Sequence, residues 1–298
     1  VSTQFRQGLR NTGSIDATIP DAVETAWELP ANRGEHSATK GSPVAAPNGQ
    51  ILLADDTGRV QSIAPDGSVT WATSISDATR GSHGTPAIAD GRLYVGTYDG
   101  VVSSLALADG EILWQTEVGD AAAASPTYLD GKLYVAVEHS PPDGSLVMMD
   151  AASGEIEWRD RRPTDHPHST VAIDRGHGRL IFGSNDGHCY AWSFPSLERA
   201  WAYDTGGDIK LPLAISDGVA VVPSWAGTVT GLDVEDGTAL WEFETDGGET
   251  AKGSSDPIAT GGVMCAPAVA DGEVYVGSHD TNAYAIDLAT GEELWSTA

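Results

Sequence analysis

Basic and histidine side chains are the groups in this sequence best suited to bind a ligand, and they are unevenly placed. The chain has 298 residues and a net charge of −27, with 43 Asp and Glu against 16 Lys and Arg. Half of the basic residues fall between a recurring tryptophan and the strand predicted after it: Arg33, Lys40, Arg80, Arg159, Arg161, Arg162, Lys210 and Lys252. Clustered ammonium and guanidinium groups can bind a carboxylate or a phosphate. These stretches therefore predict an anion-binding site.

Several histidines fall in the same stretches or in turns predicted on the same face of the fold. They include His36 and His166 in the stretches and His139 and His188 in the turns. The candidate ligand-binding residues are Lys40, His83, His168, Lys210, Trp225 and His279. The alternative is that the basic side chains in these loops pair with nearby carboxylates: Asp160, Asp165 and Asp208.

Residue patterns typical of catalysis or metal binding are not found in the sequence. Its two cysteines, Cys189 and Cys265, fall in different repeats, so we expect them to be unpaired. The sequence has no Cys-x-x-Cys and no Gly-x-Ser-x-Gly nucleophile turn. Acidic turns such as Asp55-Asp56 do not match a spaced calcium loop, and we interpret them as hairpin turns. We therefore predict no catalytic residue and no metal ligand.

The charge of the chain excludes some classes of partner. A general nucleic-acid or anionic-membrane binder needs a basic surface, which a net charge of −27 does not provide. The carboxylates are spread over the whole length and only four residues are Lys, so we interpret the surface as an adaptation to high salt, as in a halophilic archaeon. No apolar run is long enough to predict a transmembrane segment.

The elements that would position the candidate residues repeat along the chain. Three short runs rich in β-branched and aromatic residues lie between successive tryptophans, and Asp-Gly hairpin signals separate the first two runs in most copies. Four strands per unit of about forty residues are typical of a β-propeller. Six copies predict six four-stranded blades. Because Trp27 and Trp295 both offer a fourth strand, seven blades are the alternative.

Two repeats depart from the pattern, and the chain begins with an irregular stretch. The third repeat has an insert at residues 138–143, and a long polar loop covers residues 246–262. We predict an N-terminal arm at residues 1–26, packed on a single propeller domain at residues 27–298.

The last repeat carries a motif that resembles a known family. It reads Ala285-x-Asp287-x-x-Thr290-Gly291-Glu292-x-x-Trp295. This is similar to the tryptophan-docking motif of the PQQ-like propellers, a superfamily that includes quinoprotein alcohol dehydrogenases and BamB-type assembly lipoproteins. Weaker copies end at Trp114, Trp158 and Trp241, and the opening stretch with Asn11-Thr12-Gly13 is similar to the start of many such proteins. In that family each motif tryptophan stacks between neighbouring blades. The resemblance implies this structural role for Trp27, Trp71, Trp114, Trp158, Trp201, Trp241 and Trp295.

The two branches of that superfamily imply different functions. Large quinoprotein dehydrogenases hold PQQ with a Ca²⁺ bound by Glu, Asn and Asp, often under a vicinal disulfide. This sequence has no Cys-Cys and no recognisable set of those ligands. We therefore expect a non-enzymatic scaffold without a cofactor, as the assembly-lipoprotein branch implies, which binds a protein partner through its loop face or blade edges. The alternatives are a PQQ- and Ca²⁺-dependent dehydrogenase and a sensor of a small anionic ligand. We also expect an exported or cell-surface protein, membrane-anchored if a signal or lipobox precedes Val1.

Overall fold

The fold is all-β in the computed structural model, which describes residues 4–15, 22–29, 39–78, 80–246 and 262–298. These residues form one short 3₁₀ turn, Phe5–Gln7, and six antiparallel sheets of four strands each, as predicted. In every sheet the strands are hydrogen-bonded in chain order. Within the described ranges, no helix is long and apolar enough to cross a membrane.

The contacts divide the chain into two compact units, and sheets 1 to 3 belong to the first except for residues 143–145 of sheet 3, which are assigned to the second. This unit comprises the described residues within 1–7, 15–140 and 146–160. Its strands are β1 Val44–Ala45, β2 Ile51–Ala54, β3 Arg59–Ile63 and β4 Val69–Ser74 in sheet 1, β5 Ala87–Ala89, β6 Arg92–Gly96, β7 Val101–Ala106 and β8 Ile112–Glu117 in sheet 2, and β9 Thr127–Leu129, β10 Lys132–His139, β11 Asp143–Asp150 and β12 Ile156–Asp160 in sheet 3.

Sheets 4 to 6 belong to the second unit, which comprises the described residues within 8–14, 141–145 and 161–298. Its strands are β13 Ala172–Asp174, β14 Arg179–Gly183, β15 His188–Ser193 and β16 Arg199–Asp204 in sheet 4, β17 Ala214–Ser216, β18 Val219–Pro223, β19 Thr228–Asp233 and β20 Ala239–Glu244 in sheet 5, and β21 Ala268–Ala270, β22 Glu273–Gly277, β23 Ala283–Asp287 and β24 Glu293–Thr297 in sheet 6.

The predicted Asp-Gly hairpins connect first and second strands in sheets 2, 3, 5 and 6. In sheet 2, Asp90 has φ +50° and Gly91 has φ +72°, and the other three pairs have the same left-handed backbone. Two consecutive positive φ angles define a type I′ turn, whose twist matches that of the flanking strands. The sequence prediction of these turns is confirmed.

The hydrophobic core lies between successive sheets of each unit. One cluster in the first unit joins Leu52 of sheet 1 to Leu93 and Leu105 of sheet 2. A cluster in the second unit joins Ile181 of sheet 4 to Ile215 of sheet 5. Most second and third strands are buried on both faces, although β2 and β22 alternate between buried and half-buried residues. Fourth strands are more exposed, and β24 is wholly exposed. This pattern is expected of sheets stacked face to face with one free edge.

A β-bulge recurs next to the tryptophan of every fourth strand. The pairing of third and fourth strands shifts register in all six sheets, for example between Gly231 and Leu232 opposite Trp241. The extra residue precedes the tryptophan and is an exposed leucine in three cases: Leu113, Leu240 and Leu294. A bulge re-aims the side chains beside it, which explains how the tryptophan reaches the next sheet.

The N-terminal segment hydrogen-bonds to the first strands of the sheets. In the second unit, the carbonyls of Leu9, Arg10 and Thr12 accept hydrogen bonds from the amides of Ile173, Ile215 and Val269 at 2.7, 2.8 and 2.9 Å. Asn11 is 2% exposed, has φ +53°, and donates from Nδ2 to the carbonyl of Thr170 at 3.4 Å. In the first unit, Gln4 Oε1 accepts from the amide of Tyr128 at 3.2 Å. Leu9, Arg10 and Thr12 thus pair with the sheets through main-chain atoms and Gln4 through its side chain, whereas the N-terminal arm at residues 1–26 as a whole stays a prediction.

Two expectations need correction or refinement. Residues 22–29 form no strand, so Trp27 does not offer the fourth strand predicted for it. The insert of sheet 3 lies between its second and third strands, as predicted, and lengthens β10 and β11 to eight residues each. The predicted loop at residues 246–262 lies almost entirely outside the described residues. The boundary between residues 26 and 27 stays a prediction.

Candidate functional site

Lys40, His83 and Asp56 form a compact charged cluster in the first unit. Lys40 Nζ lies 3.2 Å from His83 Nε2 and 3.6 Å from Asp56 Oδ2, and His83 Nε2 lies 3.2 Å from Asp56 Oδ1. The Asp56 side chain is 6% exposed, whereas that of Lys40 is 53% exposed. A buried carboxylate is therefore paired with an ammonium group that keeps one side open to solvent.

The local folds of sheets 1 and 2 bring these three residues together. Asp56 lies in the turn between β2 and β3, which Asp55 fixes by accepting hydrogen bonds from the amide and hydroxyl of Thr57 at 2.9 and 2.5 Å. His83 lies in the loop before β5, and the amide of Ser82 donates to the carbonyl of Asp55 at 3.0 Å. Because that backbone bond joins the loop to the turn, the imidazole and the carboxylate are held side by side.

An aromatic ring and a second cation complete this cluster. The ring of Tyr98 meets His83 edge-on at a centroid distance of 4.3 Å, and the guanidinium of Arg80 lies 5.8 Å from the Tyr98 centroid. Burial, followed by the charge of Glu138, raises the pKa of Tyr98 to about 12, so the phenol stays neutral. Burial also lowers the pKa of His83; Lys40 and Arg80 act in the same direction, and Asp56 opposes them. His83 is therefore a neutral imidazole at neutral pH.

Lys210 and Trp225 form a separate pair in the second unit. Lys210 Nζ lies 4.9 Å from the centroid of the Trp225 ring, which is a cation–π geometry. The amide of Trp225 donates to the carbonyl of Asp208 at 2.9 Å. Burial and the neighbouring charge of Asp165 raise the pKa of Asp208. This loop therefore contains a cation beside a carboxyl group that resists ionisation.

Arg162 occupies a third site that the sequence only partly indicated. Its guanidinium lies 5.0 Å from the Tyr190 centroid and 5.6 Å from that of Trp192, and it donates to the carbonyl of Ala191 at 3.1 Å. Arg162 belonged to the predicted basic loops, but the two rings were not predicted to meet it. Tyr190 and Trp192 stand two residues apart in β15 and so share one face of the strand, which is the signal that could have identified the site.

The six predicted site residues therefore form two pairs and two further loop positions. Lys40 meets His83, and Lys210 meets Trp225. His168 is half-buried in the loop before β13. His279 is exposed in the turn between β22 and β23, where its amide donates to the carbonyl of Gly262 at 3.1 Å. Arg33, His36 and Lys252 lie outside the described residues.

The carboxylate, imidazole and thiol groups of the described residues do not form a metal site. They include no group of three or more His, Cys, Asp or Glu side chains placed to hold a metal ion. Cys189 is fully buried and Cys265 half-buried, and neither is in a disulfide. Burial raises the pKa of the Cys189 thiol, so it stays protonated.

Tryptophans from one repeat contact the next along the chain in five cases. Each indole Nε1 donates to a main-chain carbonyl in the turn between third and fourth strands: Trp27 to Pro65, Trp71 to Leu107, Trp114 to Ala151, Trp201 to Val234 and Trp241 to Leu288, at 2.8 to 3.2 Å. A glycine with positive φ lies under each ring: Gly67, Gly110, Gly154, Gly237 and Gly291. Sheet 4 has no such glycine, and its turn places Leu197 at φ +59°.

The remaining two motif tryptophans, Trp158 and Trp295, differ in exposure. Trp158 is half-buried in β12. Trp295 is 46% exposed, whereas Trp201 and Trp241 are 8% and 7% exposed.

These sheets and their tryptophan contacts define a β-propeller protein built of PQQ-like repeats. The family model described as outer membrane protein assembly factor BamB matches residues 56–176 and 167–298. The chain belongs to this family.

Its relatives carry two kinds of name. The chain is 26% identical over 218 residues to outer membrane protein assembly factor BamB of Yersinia pestis, covering 65% of this chain and 54% of that protein. It is 24% identical over 315 residues to polyvinylalcohol dehydrogenase of Sphingopyxis sp., covering 94% of this chain and 46% of that enzyme. The chain thus spans about half the length of these curated relatives.

Solved structures show the same fold. BamB from Moraxella catarrhalis superposes with a TM-score of 0.67 at 19% identity, covering 87% of this chain and 73% of that one. Quinohemoprotein alcohol dehydrogenase from Comamonas testosteroni superposes with a TM-score of 0.76 at 14% identity, covering 99% of this chain and 66% of that one. At these identities the likeness shows the propeller fold alone.

Proposed function

We propose that this propeller is a non-enzymatic scaffold that binds a protein partner through its loops or the edges of its sheets. The observation that carries the proposal is the pairing of its loop residues with one another. Lys40 is paired with buried Asp56, and Lys210 lies on Trp225, so both cations already have partners within the chain. This arrangement pairs the charged side chains of these loops within the chain. Membership of a family named for an assembly factor supports the same function.

The proposed location is outside the cytoplasm, at a cell surface or in an exported form. Support comes from the relatives named as outer membrane protein assembly factors. The net charge of −27 supports a surface that stays hydrated at high salt.

Site-specific photo-crosslinking in cells tests the scaffold function. A photoreactive residue is placed at exposed His279 and, as a control, at fully buried Leu213 in the core of the second unit. We expect position 279, and not position 213, to give a discrete crosslinked protein. The control must first be shown to fold by its unfolding midpoint; if it does not, a crosslinker at buried Val222 replaces it. Absence of any discrete adduct at His279, Lys40 and Arg80 would overturn the proposal.

Thermal unfolding in molar KCl separates the scaffold from a dehydrogenase. A ligand that binds only the folded state, present at 100 times its Kd, stabilises it by about 2.7 kcal/mol. We expect PQQ with Ca²⁺ to leave the midpoint unchanged. A rise that a chelator abolishes would make dehydrogenase activity the leading hypothesis.

A sensor of a small anion is the second candidate, favoured by one observation. Lys40 and Arg80 are both exposed and flank the His83–Tyr98 ring pair. If an anion bound at Lys40 or, separately, at Lys210, the variant with Lys40→Gln and Lys210→Gln would lose affinity for it. Unchanged affinity in that variant would exclude the sensor.

A further inference from the structure

Sheet 6 packs on sheet 5 with one of its faces, and its other face is more exposed. On the packed face, Val274, Val276 and Ile286 are buried in a cluster with Val221 and Val229 of sheet 5. Successive side chains of a strand point to opposite faces, so the residues between these lie on the other side. They form two rows paired across the sheet: Trp295, Ala285, Tyr275 and Ala268 in one row, and Thr297, Ala283 and Gly277 in the next. We call these seven residues the open face.

The equivalent face of sheet 5 is covered by sheet 6. Its matching row across the sheet is Trp241, Gly231, Val221 and Ala214. Trp241 is 7% exposed, whereas Trp295 of the open face is 46% exposed. Ala283 and Thr297 are also exposed, and together with Gly277 they line a cleft of about 450 Å³. A contiguous exposed surface of apolar and small residues marks an interaction site.

Sheet 1 shows how a sheet of this chain holds the sheet that follows it. Trp71 Nε1 donates a hydrogen bond to the carbonyl of Leu107 at 3.2 Å, and Thr73 Oγ1 donates to the carbonyl of Gly110 at 2.8 Å. A Cβ atom added at Gly110 would lie 2.4 Å from Trp71 Cε3 and 2.7 Å from Thr73 Oγ1, so only glycine fits there. Sheet 2 repeats both hydrogen bonds: Trp114 to Ala151 at 3.2 Å and Thr116 to Gly154 at 2.9 Å.

Trp295 and Thr297 have the same Trp-x-Thr spacing on β24. Both side chains are exposed, so the two donors of β24 face solvent. A tryptophan that is apolar over its ring and polar at its N–H is well suited to an interface. The open face therefore presents the same two donors that sheets 1 and 2 use to bind the next sheet.

The turns held by these donors define what fits the open face. Each has an acceptor carbonyl, two further residues and a glycine with φ +75°: Leu107-Ala108-Asp109-Gly110 and Ala151-Ala152-Ser153-Gly154. Within the described ranges, all five glycine turns of this position already lie under a tryptophan of the same chain. A second copy of the chain therefore offers no vacant turn of this form among those residues.

We propose that the open face of sheet 6 binds a four-stranded sheet of a different protein built of the same repeat, whose glycine turn accepts hydrogen bonds from Trp295 Nε1 and Thr297 Oγ1. This inference rests on the proposed scaffold function and names the class of partner and the surface that binds it. The open face has no charged side chain, so its contact buries none of the carboxylates of this acidic chain.

Photo-crosslinking in cells tests the contact. A photoreactive residue at exposed Ala298, which lines the cleft, leaves Trp295 and Thr297 in place. The matched control is exposed Ser296, whose side chain lies on the side of the strand opposite to Thr297. We expect an adduct from position 298 and not from 296, and mass spectrometry of the crosslinked peptide should identify a different protein with a glycine turn of this form.

Four results would overturn the proposal. They are no adduct at position 298, an adduct to a second copy of the chain, an adduct within the same polypeptide, and an adduct to a protein without such a glycine turn. Mixing chains labelled with heavy and light isotopes distinguishes the second result from the third.

Variants of the two donors test the hydrogen bonds. Trp295→Phe combined with Thr297→Val removes both donors and keeps most of the apolar area. Leu294→Ala is the control, because Leu294 is 47% exposed and lies outside the open face. We expect the double variant to lower the yield of the adduct at position 298 about tenfold or more and L294A to leave it unchanged. Equal yields would contradict the proposal. If the double variant does not fold, as judged by its unfolding midpoint, Thr297→Val alone decides.

The two proposals can fail separately. Crosslinks at His279 together with no adduct at position 298 would retain the scaffold and reject the open face as its docking surface. An adduct at position 298 alone would retain the open face and reject the loops as the contact.

Discussion

Trp241 lies directly on Gly291 of the following sheet. A Cβ atom added at Gly291 would lie 2.7 Å from the Cβ of Trp241, and the indole donates to the neighbouring carbonyl of Leu288 at 2.8 Å. Gly291→Ala should therefore destabilise the fold by about 2–4 kcal/mol, from left-handed backbone strain and overpacking together. Gly272→Ala is the control, since Gly272 has φ +80° with no atom near its added Cβ. It should cost only about 1–2 kcal/mol. Equal losses in urea unfolding would show that the ring contact is not tight.

The tryptophans should differ in their contribution to stability according to their exposure. Trp241 is 7% exposed and Trp295 is 46% exposed. Trp241→Ala should cost about 3–5 kcal/mol, because it leaves a cavity and an unpaired carbonyl. Trp295→Ala should cost about 1 kcal/mol, as it removes a partly solvated ring. Unfolding midpoints of the two variants give the comparison, and a larger loss at Trp295 would contradict the assigned roles.

His83 should make the fold sensitive to mild acid. Burial lowers the pKa of His83 below its ordinary value of 6.5, so the unfolded chain takes up this proton more readily than the folded one. The stability that the neutral imidazole contributes is complete above about pH 6.5 and falls as the pH drops through the lowered folded pKa. His83→Gln should flatten this part of the curve of stability against pH.

The groups that face His83 decide this behaviour. Asp56 favours its protonation, Lys40 and Arg80 oppose it, and the neutral ring of Tyr98 meets it edge-on. His279→Gln is the control, because His279 is exposed. If His83→Gln and His279→Gln keep the same slope between about pH 7 and pH 5, His83 does not set the acid response.

Salt should stabilise the fold strongly. With a net charge of −27, carboxylates repel one another at low ionic strength, and the Debye length shrinks from about 30 Å at 0.01 M to about 3 Å at 1 M. We expect the thermal midpoint to rise by more than ten degrees, as an order of magnitude, between millimolar and molar KCl. Equal molarities of sucrose serve as the control for a general solute effect. A midpoint independent of KCl would contradict the interpretation as an adaptation to high salt.

Local residue chemistry explains why the fold could be predicted and the site only in part. Asp-Gly pairs such as Asp90-Gly91 determine a hairpin almost alone, and the tryptophan spacing sets the length of each repeat. Trp27 was assigned to a strand because the spacing counted it with the others, yet its flanking residues 22–29 have no strand partner. Whether residues 22–29 form a strand depends on pairing with a distant strand, and the sequence around Trp27 does not encode that pairing.

The candidate site depended on contacts between distant residues. The loops of Lys40 and His83 were predicted as ligand-binding, and the structure pairs both with Asp56, which had been interpreted as a hairpin residue. Charge counting indicated loops rich in cations but could not show which carboxylate faces them. The hydrogen bonds of Leu9, Arg10 and Thr12 were not predictable from pattern, because main-chain carbonyls have no sequence signature.

The pairing of the N-terminal segment with distant first strands has a consequence for the order of folding. Asn11 leaves the ribosome early, yet its partner Thr170 follows 159 residues later, and Val269, which bonds to Thr12, is made later still. Contacts this far apart in sequence close slowly, since the intervening chain must first be ordered. Residues 9–12 therefore stay without these partners until sheet 6 has been synthesised. Residues 4–13 contain two arginines and no acidic residue. They are therefore not repelled by the acidic, partly folded chain and should stay soluble until they pair.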